Sequence, residues 1–245
     1  MPEYAFSKLN DPIYALRCLG QGLVFLAQPQ LRKFILIPLL INVILFASAL
    51  LVTAYFFADF LDWLIPAWLV WLRWVLWPLF GLMFILMASF GFTLVANLLA
   101  SPFYDRLAER TEELIGRIPV VPSEAGRTQT VVQEIGAEIQ RLGYFLLRAF
   151  PLAILTLIPG VNLIAPLLGL MFNAWFLALE YFAYPLANHG ILFPQARGLL
   201  KHAWLGQLTF GTVVLLGLGI PIVNVFLPPA AVIGATIYFA GARLR

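Results

Sequence analysis

Gln28-Pro29-Gln30-Leu31-Arg32-Lys33 is the segment of this chain whose residue types and order come nearest to a chemistry. Proline at a first helical position has no N–H to leave unpaired. The backbone N–H groups of Gln30, Leu31, Arg32 and Lys33 that follow are then expected to lack carbonyl partners within the helix. Such donors, at the positive end of a helix and beside two adjacent cations, suit a dianion. From the residues alone a second reading stands beside the first: a basic flank that orients the following helix and touches lipid phosphates.

Other candidates are sparse. Glu180 is the only acid between Arg148 and Arg197. An ionisable group near hydrocarbon needs a partner or a function, so Glu180 is expected to pair with Arg148 or Arg197, or to relay protons. His189 is expected to hydrogen-bond within a loop, and His189 and His202 lie apart, outside any HExxH-type metal set. The chain has no GxxxxGK[ST] loop, no third glycine beside Gly217 and Gly219, and no Ser/His/Asp constellation. It reads as a non-enzyme, without cofactor, metal or ATP hydrolysis.

The elements that must position these residues follow from composition. Of 245 residues 62% are hydrophobic and only 11% charged, far from the ~45–50% and ~25% of soluble domains. That excludes a soluble enzyme and a disordered tail and defines an all-α integral membrane protein. One cysteine, Cys18, closes no intrachain disulfide, and a net charge of +3 spread along the chain gives no nucleic-acid footprint. Glu3 and Asp11 precede a broken apolar stretch, which does not read as a cleaved signal peptide; the first span is expected to serve for insertion.

Residues 1–32 form an amphipathic segment and basic flank. Asp11-Pro12 reads as an N-cap and first helical residue, and the helix behind it sets Ile13, Leu16, Leu19 and Leu23 on one side, with Arg17 and Gln21 elsewhere. It is expected to lie in the membrane interface. Residues 33–104 form a transmembrane hairpin. Phe34 to Ala58 is uncharged for about 25 residues and Trp74 to Tyr104 for ~31, each long enough to cross ~30 Å of hydrocarbon. Pro38 is expected near the first turns, where a missing N–H costs little. Trp63, Trp68, Trp71, Trp74 and Trp77 between the spans form an interfacial belt.

Residues 105–148 are densely charged. Arg106 with Glu109, and Glu113 with Arg117, stand three or four apart and can pair along a helix. After a Pro/Ser/Gly stretch, Ile118 to Gly126, a second amphipathic helix is expected near Thr128. This is a solvated cytoplasmic helical subdomain; the alternative gives Arg106, Glu109 and Arg110 a gating or pore-lining role. Residues 149–179 are apolar but broken at Pro159-Gly160 and Pro166. After a connection, 180–202, residues 203–245 are apolar again, broken at Gly217, Gly219, Pro221 and Pro228-Pro229. Each stretch splits into arms of roughly 15–18 residues, short of the ~20 of a full span. Two partially penetrating helical hairpins are therefore expected, with two ordinary spans each as the alternative. Lys8, Arg17, Arg32 and Lys33 before the first span, and six Arg after the second, against Arg73 alone between them, place both termini and the charged middle in the cytoplasm.

Gln28 to Phe34, followed by Ile37-Pro38-Leu39-Leu40-Ile41-Asn42, resembles the opening of the CysZ sulfate transporters. So do Ser101-Pro102-Phe103-Tyr104, Pro159-Gly160, Tyr184-Pro185 with Asn188-His189, and Gly234-Ala235-Thr236, in the same order along nearly the whole chain. The resemblance implies two long transmembrane helices, partially penetrating hairpins, homo-oligomeric assembly and location in the bacterial inner membrane. It further implies sulfate import for assimilation and cysteine biosynthesis, with sulfite and related oxyanions as possible competitors. The family's sulfate site maps onto Pro29 to Lys33, which favours an anion-binding role for Gln30, Leu31, Arg32 and Lys33. Three features depart from the pattern. Gln30 stands for a common Gly, Lys33 for an Arg, and Ala183 and Ala187 for common Asp residues. Lys33 keeps the charge but loses the planar fork. Entry is either passive or proton-coupled, with Glu180, His189 and His202 as the titratable candidates. The reading from a different class is a structural membrane protein whose basic flank binds phospholipid headgroups.

Overall fold

The computed structural model describes residues 5–116 and 131–242, the side chains at 35, 42, 86–102, 131–135, 137–138 and 221–222 apart. The described residues form helices joined by short turns and contain no strand. Helices α1 (Phe6–Leu9), α2 (Pro12–Phe25), α3 (Pro29–Leu64) and α4 (Arg73–Leu114) precede α5 (Val131–Leu155), α6 (Ala165–Ala187), α7 (Phe193–Leu200), α8 (Trp204–Leu218) and α9 (Pro221–Ala242). Five segments among the described residues are long and apolar enough to cross a membrane: Pro29–Leu64, Ala67–Ile85, Ala165–Ala187, Phe193–Leu218 and Val223–Ala242. The expected helix start at Thr128 and the Ile118–Gly126 break lie outside the described residues, as do Arg117, Arg127, Arg243 and Arg245.

The chain forms two compact units. Residues 33–103 make one, and 1–32 with 104–245 make the other. In the smaller, α3 and α4 are joined by a 3-10 turn over Ala67–Leu72. Phe57 stacks on Phe80 at 4.4 Å and meets Trp77 edge-on at 5.4 Å. Arg73 pairs with Asp62 across the turn. Trp63, Trp68, Trp71 and Trp74 stay exposed, as an interfacial belt requires.

The larger unit holds the core. Asp11 caps α2 as its sequence suggests, accepting from the Ile13 amide at 2.9 Å, with Pro12 in the first position. The buried face of α2 is made chiefly of small residues. Ala15, Cys18, Leu19 and Gly22 are buried, whereas Ile13, Leu16 and Leu23 are exposed. The reason is close backbone approach to α9. A Cβ on Gly22 would meet the Ala230 carbonyl and stand 2.8 Å from the Gly234 amide, and one on Gly234 would stand 3.0 Å from the Cys18 carbonyl. Small residues let these backbones touch, as in other membrane helix pairs. Burial pushes the Cys18 thiol up to about 11. An aromatic stack on Phe182 fixes α6 against α8 and α9: Tyr238 lies at 5.1 Å, Phe210 at 4.7 Å and Phe239 at 5.1 Å. Tyr14 donates to the Tyr238 carbonyl at 2.9 Å, and Tyr238 donates to the Leu9 carbonyl.

One expected break is absent. Gly160, at φ +87°, turns the chain between α5 and α6, and Pro166 and Pro221 stand at helix starts, but Pro228-Pro229 lies inside α9. Pro38 lies inside α3 too, because that helix begins at Pro29 rather than Phe34. Neighbouring helices tolerate such prolines in apolar surroundings, where abandoning the helix would strand many more backbone groups. Of the four arms, α6 and α9 are longer than expected, whereas α8 keeps to 15 residues and α5 continues only to Leu155 within its apolar stretch. At ~1.5 Å per residue the 23 residues of α6 reach ~34 Å, the full hydrocarbon thickness.

Candidate functional site

The candidate residues gather at three places: the start of α3, the charged end of α4, and the turn after α6. At the start of α3 the backbone is less open than the sequence suggests. Gln28 acts as the N-terminal cap residue, and its carbonyl accepts from the Leu31 amide at 3.1 Å and the Arg32 amide at 3.3 Å. Helical bonding thus begins one residue earlier than Pro29. Lys33 is already the fifth residue of the helix, where the fourth residue back is Pro29. That leaves the Gln30 amide as the free donor of the first turn among the described residues. Leu31 is fully buried and anchors the turn rather than facing a ligand.

The two cations remain exposed. The Arg32 guanidinium folds back onto the Ala27 carbonyl, through Nε at 3.2 Å and Nη2 at 3.0 Å. A cation at the carbonyl-rich exit from α2 is electrostatically favoured. Lys33 Nζ rests 5.0 Å from the Phe34 ring centroid. An anion drawn to this helix end would compete with a single carbonyl for Arg32 and with one ring face for Lys33. Neither cation forms an ion pair with a described acid.

On α4, Arg106, Glu109 and Arg110 are exposed. The ion pair here is Arg110 with Glu113, not Arg106 with Glu109. Arg110 and Glu113 are three apart on one face.

The turn after α6 supplies what sequence reasoning missed. His189 does not bond within its loop. Its Nε2 lies 2.8 Å from Oε1 of Glu112 on α4, with the two side chains only 9% and 5% exposed. Its Nδ1 is buried with no partner among the described residues. A neutral imidazole carrying its hydrogen on Nε2 satisfies the Glu112 carboxylate and leaves only a lone pair, not an N–H, unpaired at Nδ1. Next to it, Asn188 donates to the Asp105 carbonyl at 3.2 Å, and Tyr104 meets Tyr184 edge-on at 5.5 Å. Asn188 and His189 therefore clasp the end of α4 that displays Arg106 and Arg110 on its other side. The signal for Glu112 was present in the chain. Leu107, Ala108 and Thr111 mark the buried stripe of α4, and Glu112 falls four residues after Ala108, on that stripe. Glu112 and His189 stand as a pair, and no group of three potential metal ligands occurs among the described residues.

Glu180 is half-buried within α6. Among the described residues no ion pair joins it to Arg148 or Arg197. Both guanidinium groups instead lie against the Tyr144 ring. His202 is exposed and packs its ring edge-on against Phe6 at 5.6 Å.

Several long apolar helices and a tryptophan belt define a multi-pass helical membrane protein. The chain belongs to the family described as Sulfate transporter CysZ/Etoposide-induced protein 2.4, whose profile matches residues 18–229. It is 38% identical to the Sulfate transporter CysZ of Pseudomonas aeruginosa (strain LESB58) over 236 residues, covering 94% of each chain. Against the protein of that name from Pseudomonas fluorescens (strain Pf0-1) it is 37% identical over 240 residues, 96% of this chain and 94% of the other. The Pectobacterium atrosepticum protein of that name is 35% identical over 223 residues, covering 88% and 80%.

Proposed function

We propose that this protein moves sulfate across the bacterial inner membrane without ATP, for assimilation and cysteine biosynthesis, and that the start of α3 is where the anion is held. The observation that carries the reading is the pair of exposed, carboxylate-free cations, Arg32 and Lys33, in the first turns of a helix 36 residues long. Relatives 35–38% identical to it over the aligned residues are named sulfate transporters. The roles divide by chemistry. The Gln30 amide and the positive helix end attract charge. Arg32 leaves the Ala27 carbonyl to offer two parallel donors, and Lys33 adds a mobile point charge. Leu31 fixes the turn from inside.

Energetics constrain the transport mode. Moving a dianion inward against an inside-negative potential costs about 4.6 kcal/mol per 100 mV, so passive entry needs cytosolic sulfate roughly 2,000-fold below external. Rapid assimilation maintains such a gradient; otherwise protons are coupled, and Glu180 and His189 are the groups placed to carry them, with Arg106, Glu109 and Arg110 at the gate. Assembly as a homo-oligomer in lipid gives the exposed helices their cover.

The test is sulfate uptake into proteoliposomes beside calorimetric sulfate binding. Arg32→Ala with Lys33→Ala is expected to weaken binding about a hundredfold and to reduce uptake in step. Unchanged affinity would remove the site. Uptake that follows voltage and concentration but ignores an imposed pH gradient would remove proton coupling.

A further inference from the structure

Two other arginines converge on one ring. Arg148, on α5, places its guanidinium carbon 3.8 Å from the Tyr144 centroid, and Arg197, on α7, places its own at 5.2 Å. The two charge centres are therefore within about 9 Å of each other, close to one screening length at physiological salt. Like charges at that range repel, and nothing described neutralises them. No described carboxylate forms an ion pair with either. Arg148 spends one donor on the Tyr144 carbonyl, at a long 3.4 Å. The Arg197 guanidinium makes no hydrogen bond to any described residue, so most of the donors of two planar forks are uncommitted.

The platform beneath them is fixed. The Tyr144 hydroxyl accepts from Trp175 Nε1 at 3.2 Å, and the Trp175 carbonyl accepts from Nε2 of the fully buried Gln207 at 3.1 Å. Phe193 abuts the Tyr144 ring edge-on at 5.6 Å. Four helices thus hold one aromatic ring in place, and resting on it pre-orders each guanidinium group, lowering the entropy lost when they close on a ligand. Two planar forks within about 9 Å of each other recognise an anion that presents two or more oxygens, which is phosphate and sulfate chemistry rather than halide chemistry.

We propose that Arg148 and Arg197, stacked on Tyr144, form a second anion site that takes a tetrahedral oxyanion, either free or as a phospholipid headgroup. It is independent of the site at Arg32 and Lys33. The experiment uses the full-length protein carrying Arg32→Ala and Lys33→Ala, so that the first site is silent, in nanodiscs of phosphatidylcholine with or without phosphatidylglycerol. Inorganic sulfate and phosphate are titrated calorimetrically in the first, and retained phosphatidylglycerol is counted by native mass spectrometry in the second. Adding Arg148→Gln and Arg197→Gln is expected to weaken the responding probe about tenfold or more, while Arg148→Lys with Arg197→Lys keeps part of it. Loss confined to the inorganic anions identifies a free ligand, and loss confined to phosphatidylglycerol identifies a headgroup. Failure of every probe to bind, or equal binding before and after the glutamine substitutions, overturns the proposal. Should the double variant not fold, Arg197→Gln alone, whose guanidinium bonds to no described residue, is expected to weaken the same probe.

Discussion

The two units solve the same solvent problem in different ways. In the smaller one, 6% of the most apolar window of α3 is buried, whereas in α9 of the larger unit the figure is 72%. Both segments are apolar enough to cross a membrane. The smaller unit uses large side chains (Phe, Trp, Leu) whose surface is left to lipid or to another copy of the chain. The larger uses glycine and alanine at its helix contacts, so that backbones touch and aromatic rings fill what remains. Hydropathy therefore says that a helix belongs in a membrane, and residue size says what it faces there.

Substitutions in matching pairs sharpen that contrast. The largest effect is expected at glycines. A Cβ on Gly211 would meet the Ala174 carbonyl, whereas one on Gly81 of the smaller unit meets nothing within 4 Å. Gly211→Leu is expected to cost more than about 3 kcal/mol and abolish a monodisperse elution peak, and Gly81→Ala to leave the peak intact and gain up to about 1 kcal/mol. Equal tolerance at both positions would erase the distinction. Next come the rings. Phe182→Ala, at the centre of the buried stack, is expected to lower stability by about 3–5 kcal/mol, and Phe57→Ala in the smaller unit by clearly less, read by thermal melting in one detergent.

The buried pair follows. Glu112→Leu or His189→Leu alone leaves a polar group stranded and is expected to cost about 1–3 kcal/mol, while Glu112→Leu with His189→Leu recovers most of it. A double-mutant cycle without coupling would dissolve the clasp on α4. Cys18 gives a smaller effect. Its thiol stays protonated up to about pH 11 when folded and ionises near pH 9 when unfolded, so stability is expected to fall as pH rises through that window. Maleimide should label Cys18 only after denaturation, and rapid labelling of folded protein would contradict its burial. The smallest effect belongs to the smaller unit. Asp62→Asn breaks an exposed pair with Arg73 and is expected to cost about 0–1 kcal/mol.

Much of this was readable along the chain, and the failures share a cause. The spans, the tryptophan turn, the Asp11-Pro12 helix start and the Pro159-Gly160 break depend on composition and on neighbours within a few residues. Reading Pro228-Pro229 as a break was wrong because the penalty of an interior proline is local, while the penalty of ending a helix in an apolar medium is set by everything around it. At α2 the sequence placed Ile13, Leu16, Leu19 and Leu23 on one side, and that Ala15, Cys18 and Gly22 form the contact face was not legible, because it depends on α9 presenting Ala230 and Gly234 opposite them. The cations at Arg32 and Lys33 were legible as charges on a helix start. That the Leu31 and Arg32 amides are already taken by Gln28 was not, since it depends on where helical bonding begins.

Sequence alone determined that this chain lives in a bilayer, that it is helical, and which short segments hold charge at helix ends, because transfer free energy and helical periodicity are sums over nearby residues. Only the tertiary structure decided that His189 finds Glu112, 77 positions away, and that Arg148 and Arg197 both lie against the Tyr144 ring. Those pairings depend on how helices distant in the chain are laid against one another, and contact between buried polar groups is fixed by that packing rather than by any local preference.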